Sequence, residues 1–283
     1  MKKTILLLLG LLLTASARSQ MVSIFNSSDM GRGDSIDRIG YEVVYDLDAT
    51  VPSKKDTICY SERMLLQIGS QRSAFFSYVA FQVDSLVEAQ LKQGNNVNVN
   101  DNSHVSWKLF KNVPSQGHTA YLDKVCMDNY RVVEKTEIPQ WELVADSVKT
   151  ILGYRCHLAK AVFKGRLWWA WYAPEVPIDN GPWKLQGLPG LILMASDSHR
   201  EFVFTAVGLT NVHDSRNIYY KGKNSSEVSR QDLNKIYKRY YNDAIGYARM
   251  SFPQSSTNKI SIQDENHNEL MHSKPQPYNL IEW

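Results

Sequence analysis

Cysteine is scarce in this chain: Cys59, Cys126 and Cys156 are the only three in 283 residues. That excludes a disulfide-dense miniprotein, and with no C-x-x-C pair there is neither a thioredoxin-like redox motif nor a zinc ribbon. An odd number leaves at least one thiol without an intramolecular partner, and spacing does not choose a pair. Charge of one sign is also lacking. Lys plus Arg number 32 against 29 for Asp plus Glu, a formal charge of +3, which gives no electrostatic reason to expect a nucleic acid partner. The phosphate-binding strings G-x-x-x-x-G-K-[ST] and G-x-G-x-x-G are missing, as is the nucleophile elbow G-x-S-x-G. The sequence therefore predicts no cofactor and no catalytic residue, and leans away from an enzyme. Beyond the first segment no apolar run approaches the roughly 20 residues needed to span a bilayer as a helix, so no transmembrane segment is expected in the mature chain.

The N-terminus carries an address. Met1-Lys2-Lys3 is a short basic start, residues 5–13 are apolar apart from Gly10, and Ala15-Ser16-Ala17 supplies small residues at a cleavage site. This order describes a secretory signal peptide over 1–17, cut after Ala17 or just before Gln20. The expected mature protein is exported, periplasmic or secreted, and soluble. Cleavage removes Lys2 and Lys3 and no acid, leaving 30 basic against 29 acidic residues. The small positive charge belongs mostly to the signal.

Residues 18–37 have no periodicity and read as a flexible lead-in; residues 38–283 read as one domain. Tyr41, Val43 and Tyr45 recur with the period of two of a half-buried strand. Further short apolar runs fall at 64–68, 74–79, 104–110, 120–126, 130–135, 141–144, 154–163, 166–172, 191–195, 201–208 and 218–220. Turn residues separate them and helical crossovers are absent, which predicts a mainly antiparallel, open or curved sheet resembling half a barrel. Asp84-Ser85 reads as the N-cap of a short helix ending at Lys92. From Ser226 to Ile245 apolar residues recur every three or four positions, the pattern of a longer amphipathic helix that packs an aromatic stripe on the sheet. Residues 252–283 read as an irregular tail.

The 11% of residues that are aromatic are densest at Trp168-Trp169-Ala170-Trp171-Tyr172. Alternation puts Trp169 and Trp171 on one face of a strand and Trp168 and Tyr172 on the other, so the strand is apolar on both sides. Such rings dominate protein cores. The alternative is a ligand surface, because the strand runs straight into a Gly- and Pro-rich connection, 174–190. Trp169, Trp171 and Tyr172, with the charged Arg166 and Glu175 nearby, are the candidate ligand-binding residues, and an apolar small molecule or an envelope protein the candidate partner. A copper-like metal site is the alternative, on Cys156 and His157 or the C-terminal histidines. Neighbours on a strand point to opposite faces, however, and His267 and His272 lack the H-E-x-x-H spacing. An exported hydrolase comes third.

Residues 187–192 spell GLPGLI, and the chain resembles the GLPGLI family of exported Bacteroidetes proteins. The resemblance includes Ile151, Gly153-Tyr154, Cys156 and Ala159 as I-x-G-Y-x-C-x-x-A, then Gly165-Arg166, residues 171–175 and Gly181-Pro182. Leu66-Ile68-Gly69, Ser73-Phe75-Ser77 and the ending 278–283 resemble its outer segments, with Leu280 where proline is common. The resemblance implies export, often beside outer-membrane transport systems, and implies no activity, cofactor or catalytic residue.

Overall fold

In the computed structural model, residues 33–53, 57–93, 102–251 and 271–282 are described. The predicted signal peptide, with Ala17, and most of the lead-in fall outside them. The first strand, β1 (Asp34–Val51), begins four residues before Arg38 and buries Val43, Tyr45, Leu47 and Ala49 at alternate positions. Next come β2 (Ile58–Gly69), β3 (Ser73–Ser77), α1 (Tyr78–Lys92), β4 (Lys108–Lys111), β5 (His118–Val125) and β6 (Asp128–Lys135). A second series runs β7 (Glu142–Ile151), β8 (Tyr154–Phe163), β9 (Arg166–Ala173), β10 (Leu191–Asp197), β11 (Phe202–Asn211) and β12 (Asn217–Tyr220). The chain then forms the short β13 (Ser226–Glu227), α2 (Arg230–Asn242) and α3 (Ala244–Ser251).

These strands build one open, mainly antiparallel sheet in the order β13-β6-β5-β4-β3-β2-β1-β11-β10-β9-β8-β7, with β12 on β1. Two meanders therefore meet in the middle, where β1 pairs with β11. The chain leaves one side at β6 and restarts at the far edge, β7, after only residues 136–141. Seven steps of extended chain reach at most about 25 Å. A flat sheet of this breadth would be far wider, so the two sides must curl towards each other, as the half-barrel reading expects.

Alternation then gives the curled sheet two distinct faces. The concave side holds the larger core, including Tyr45, Leu66, Phe75, Leu109, Tyr121, Trp168 and Phe204. The residues between them on β2–β5, Leu65, Phe76, Phe110 and Leu122, join Ile39, Ile218 and Tyr220 in a second cluster on the opposite side.

Helices differ from the sequence reading at their ends. The Ser77 hydroxyl accepts the Ala80 N–H at 3.0 Å, so α1 starts at Tyr78 and Asp84 and Ser85 lie inside it. The expected long helix is two. Ser229 caps α2 by accepting the Asp232 N–H, and Asp243 ends it and caps α3 by accepting the Gly246 N–H at 2.9 Å. Burial works to raise the Asp243 carboxyl, but the N–H groups of Ser273 and Gly246 and the His272 ring outweigh it and hold it down to about 2. The aromatic stripe of α2 does pack on the sheet. Leu233 and Tyr237 are buried in the concave core, and the Tyr237 hydroxyl donates to Asp123 on β5.

Candidate functional site

The GLPGLI segment and the residues before it plug the half barrel. Trp183, Leu185 and Leu188 are buried, and the Trp183 ring lies 5.4 Å from Trp168 and 5.8 Å from Phe163. Backbone oxygens within the plug need donors away from water. Tyr45 gives its hydroxyl to the Ile192 carbonyl at 2.7 Å, and Lys111 donates to Asn180 Oδ1, Gly181 O and Leu185 O at 2.8, 3.1 and 3.0 Å. Two glycines carry the turn. Gly187 and Gly190 have φ of +93° and +153°, and a side chain on Gly190 would overlap the Ala173 carbonyl.

A C-terminal strap crosses the open side. Tyr278 stacks on Tyr241 at 4.6 Å, and Asn279 donates to the Thr50 carbonyl. Arg166 spends all five of its N–H donors here: on Ile281 O, Leu280 O, Asn279 Oδ1, Asp197 and Glu201, at 2.7 to 3.1 Å. Lys184 and Arg230 both pair with the buried carboxylate of Glu282, at 2.6 and 2.9 Å.

These contacts place each residue expected to bind a ligand. Trp168 and Tyr172 are core residues of the concave side, whereas Trp169 and Trp171 are half-buried on the alternate side of β9. Lys149 lies over the Trp171 ring at 5.8 Å. Arg166 is buried in the strap contacts, and the exposed Glu175 accepts the Arg155 N–H at 3.3 Å. Cys156 is fully buried, and the His157 ring lies 6.1 Å from Tyr172. Burial pushes the Cys156 thiol up. All three cysteines are free. Among the described residues no cluster of three or more His, Cys, Asp or Glu is placed to hold a metal, and His267 lies outside them. The Ser77 hydroxyl and the His104 ring both point to Glu62, so the carboxylate sits between serine and imidazole instead of behind the imidazole as in a hydrolytic triad.

The opposite side of the sheet holds a cleft of about 470 Å³ that the sequence did not reveal. Its floor is Ile39, Phe76, Phe110 and Leu122 from β1, β3, β4 and β5. One wall is α1, with Phe81 packed 5.4 Å from Phe76; the other is the segment 214–221. The rim is charged and paired. Lys108 meets Asp84 of α1 at 2.8 Å. Arg216 donates from Nε to Asp214 at 2.8 Å and from Nη1 to Glu42 at 3.0 Å, and the buried Gln67 donates to Glu42 at 3.0 Å. The backbone N–H of Arg216, and then its guanidinium, hold the Asp214 carboxyl below its ordinary value. An apolar floor with a few convergent polar groups, in a volume between roughly 300 and 1,000 Å³, is the usual make-up of a small-molecule site.

Residues 160–194, which run from the end of β8 through β9 and the plug into the first half of β10, match a family described as a protein of unknown function (Porph_ging). The family has no assigned activity. No curated protein matches the chain. Among solved structures, two crystal forms of PNGF-II, in space groups P21 and C2, are similar at 12% and 13% identity with TM-scores of 0.49 and 0.48. Both alignments cover 72% of this chain, against 34% and 33% of those chains. The chain thus spans about a third of their length. Among the described residues no helix is long and apolar enough to cross a membrane.

Proposed function

We propose that this chain is an exported cell-envelope protein that binds an amphipathic small molecule in the cleft beside α1. The cleft itself carries the reading. Five apolar side chains from four strands and a helix converge on a space of about 470 Å³, ringed by ion pairs that give a ligand's polar end partners. Export is supported by the basic, apolar and small-residue order of residues 1–17 and by the resemblance of residues 187–192 and their flanks to the GLPGLI family. Binding without chemistry fits a rim whose Lys108 and Arg216 are both engaged in ion pairs.

Titration of the mature protein with 8-anilinonaphthalene-1-sulfonate tests the site. We expect saturable binding at one site, lost in Phe81→Arg. Phe81 is 37% exposed on α1, so an arginine there enters the cleft without opening the core. The circular dichroism spectrum should be unchanged and melting should remain one cooperative transition, which separates loss of the site from loss of the fold. Trp169→Arg, on β9, should bind as the unmodified protein does. Binding that survives Phe81→Arg, or that is lost in Trp169→Arg, overturns the assignment.

A further inference from the structure

Arg216 is held from behind and covered in front, and only the cover is easy to remove. Behind it, Nη1 donates to both oxygens of Glu42 at 3.1 and 3.0 Å. The Glu42 side chain is 15% exposed and is itself fixed by Gln67. In front, Nε donates to both oxygens of Asp214, at 3.0 and 2.8 Å. The Asp214 side chain is 56% exposed, and its other partner is the N–H of Arg216 two residues on. Among the described residues Nη2 has no hydrogen-bond partner.

A guanidinium offers Nε and Nη2 as a parallel pair that one carboxylate spans with two hydrogen bonds. Asp214 takes only the Nε half of that edge. An ion pair this exposed to water and salt contributes little, so displacing Asp214 costs little. Exchange of one carboxylate for another also leaves the number of carboxylates bonded to Arg216 unchanged. On the opposite wall Lys108 is already neutralised by Asp84.

We propose that the ligand of this cleft is a monocarboxylate with an apolar body, which takes the place of Asp214 on Arg216 and lies along Phe76, Phe81 and Phe110. This rests on the cleft being the binding site. At about 30 Å³ per non-hydrogen atom, a water's share of liquid volume, the 470 Å³ cleft holds on the order of 15 atoms. Dodecanoate is of that size.

The test is calorimetric titration of the mature protein with dodecanoate, methyl dodecanoate and dodecyltrimethylammonium, each below its aggregation concentration. Dodecanoate should bind about tenfold or more tightly than the ester, and the cation more weakly still. Arg216→Gln should bring dodecanoate down to the affinity of the ester and leave the ester unchanged, with Arg216→Lys between. Asp214→Asn removes the competing carboxylate and should tighten dodecanoate several-fold while the ester stays the same. Equal affinity for acid and ester, or a preference that survives Arg216→Gln, overturns the proposal and leaves the cleft as a neutral site. If none of the three binds, the reading of the cleft fails with it. Flotation with phosphatidylglycerol vesicles separates a membrane headgroup from the free acid. Arg216-dependent binding to vesicles, without binding of free dodecanoate, also overturns the proposal.

Discussion

Replacing Arg166 by methionine asks whether the C-terminal strap is part of the fold or merely lies on it. Methionine keeps an unbranched apolar stem beside Phe202, whose ring is 4.7 Å from the guanidinium carbon. It removes the donors to three strap residues, Asn279, Leu280 and Ile281, and to two carboxylates. Asp197 is the costly one. Its side chain is 1% exposed, and without the guanidinium its charge keeps only the Phe202 N–H at 2.8 Å. Removing one partner of a buried pair costs about 3–5 kcal/mol. Lost neutral hydrogen bonds cost about 1 kcal/mol each, but they belong to the same network and do not simply add. A loss of about 3–5 kcal/mol is therefore expected, from a domain whose whole stability is typically about 5–15 kcal/mol. Urea unfolding at pH 7 measures it, with the buried Trp168 and Trp183 as fluorescent reporters. Arg166→Met combined with Asp197→Asn should recover part of the loss, because the orphaned charge is gone. The deficit should also shrink in acid. Burial works to raise the Glu201 carboxyl, but Arg166 and Asn279 hold it below its ordinary 4.5. Its contribution is complete above that value and disappears as pH falls through the lower folded value. A deficit below about 1 kcal/mol, with amide exchange in 278–282 unchanged, would refute the role of Arg166 in holding the strap.

Lys111 and the plug glycines give two further expectations. Burial pushes the Lys111 ammonium down to about 7, opposed only by Asp179, while the unfolded chain keeps the ordinary 10.5. Between those values the folded protein binds fewer protons, so stability should rise with pH from 7 towards 10. Lys111→Met should lack that increment; identical slopes for the two proteins in denaturation at pH 7 and 9.5 would rule it out. Gly190→Ala puts a methyl 2.6 Å from the Ala173 carbonyl carbon, where only backbone is available to move. Gly187→Ala meets the γ2 methyl of Ile138, a side chain that is 44% exposed and so has solvent to shift into. Strain alone costs about 1–3 kcal/mol at such positions, and Gly190→Ala should exceed it. Melting temperatures decide this, and Gly187→Ala melting at or below Gly190→Ala would contradict the plug geometry.

Strands and their antiparallel pairing were legible because a period of two needs only near neighbours: Tyr41, Val43 and Tyr45 announce β1 by themselves. The start of α1 was not legible. Tyr78-Val79-Ala80-Phe81 has the composition of a strand, and the Ser77 hydroxyl turns it into the first turn of a helix by capping the Ala80 N–H. The plug was half legible. Its glycines and prolines mark a shaped connection, but Trp183 looks like a loop residue until the curled sheet closes around it, next to Trp168. Arg166 gave no sign of its five partners, which come from residues 31 to 115 positions away.

The cleft was the least legible feature, and geometry explains why. Its floor residues are spaced along 84 positions of chain, each an ordinary member of an ordinary strand, and its Arg216 lies 94 residues beyond Leu122. One signal was available. Leu65, Phe76, Phe110 and Leu122 alternate with concave-core residues, so β2 to β5 are apolar on both sides and both must be covered. With Ile39 of β1 this second apolar surface crosses five strands, about 19 Å at roughly 4.8 Å per strand. A helix with its side chains covers a strip only about 10–12 Å wide. With α1 as the helix on this side and the 212–221 segment turning in from the other edge, the strip between them stays open. A sequence can show that a sheet is apolar on its second face; how much of that face a single short helix fails to cover is fixed only when the helix is placed, and in this protein the uncovered remainder is the cleft beside α1.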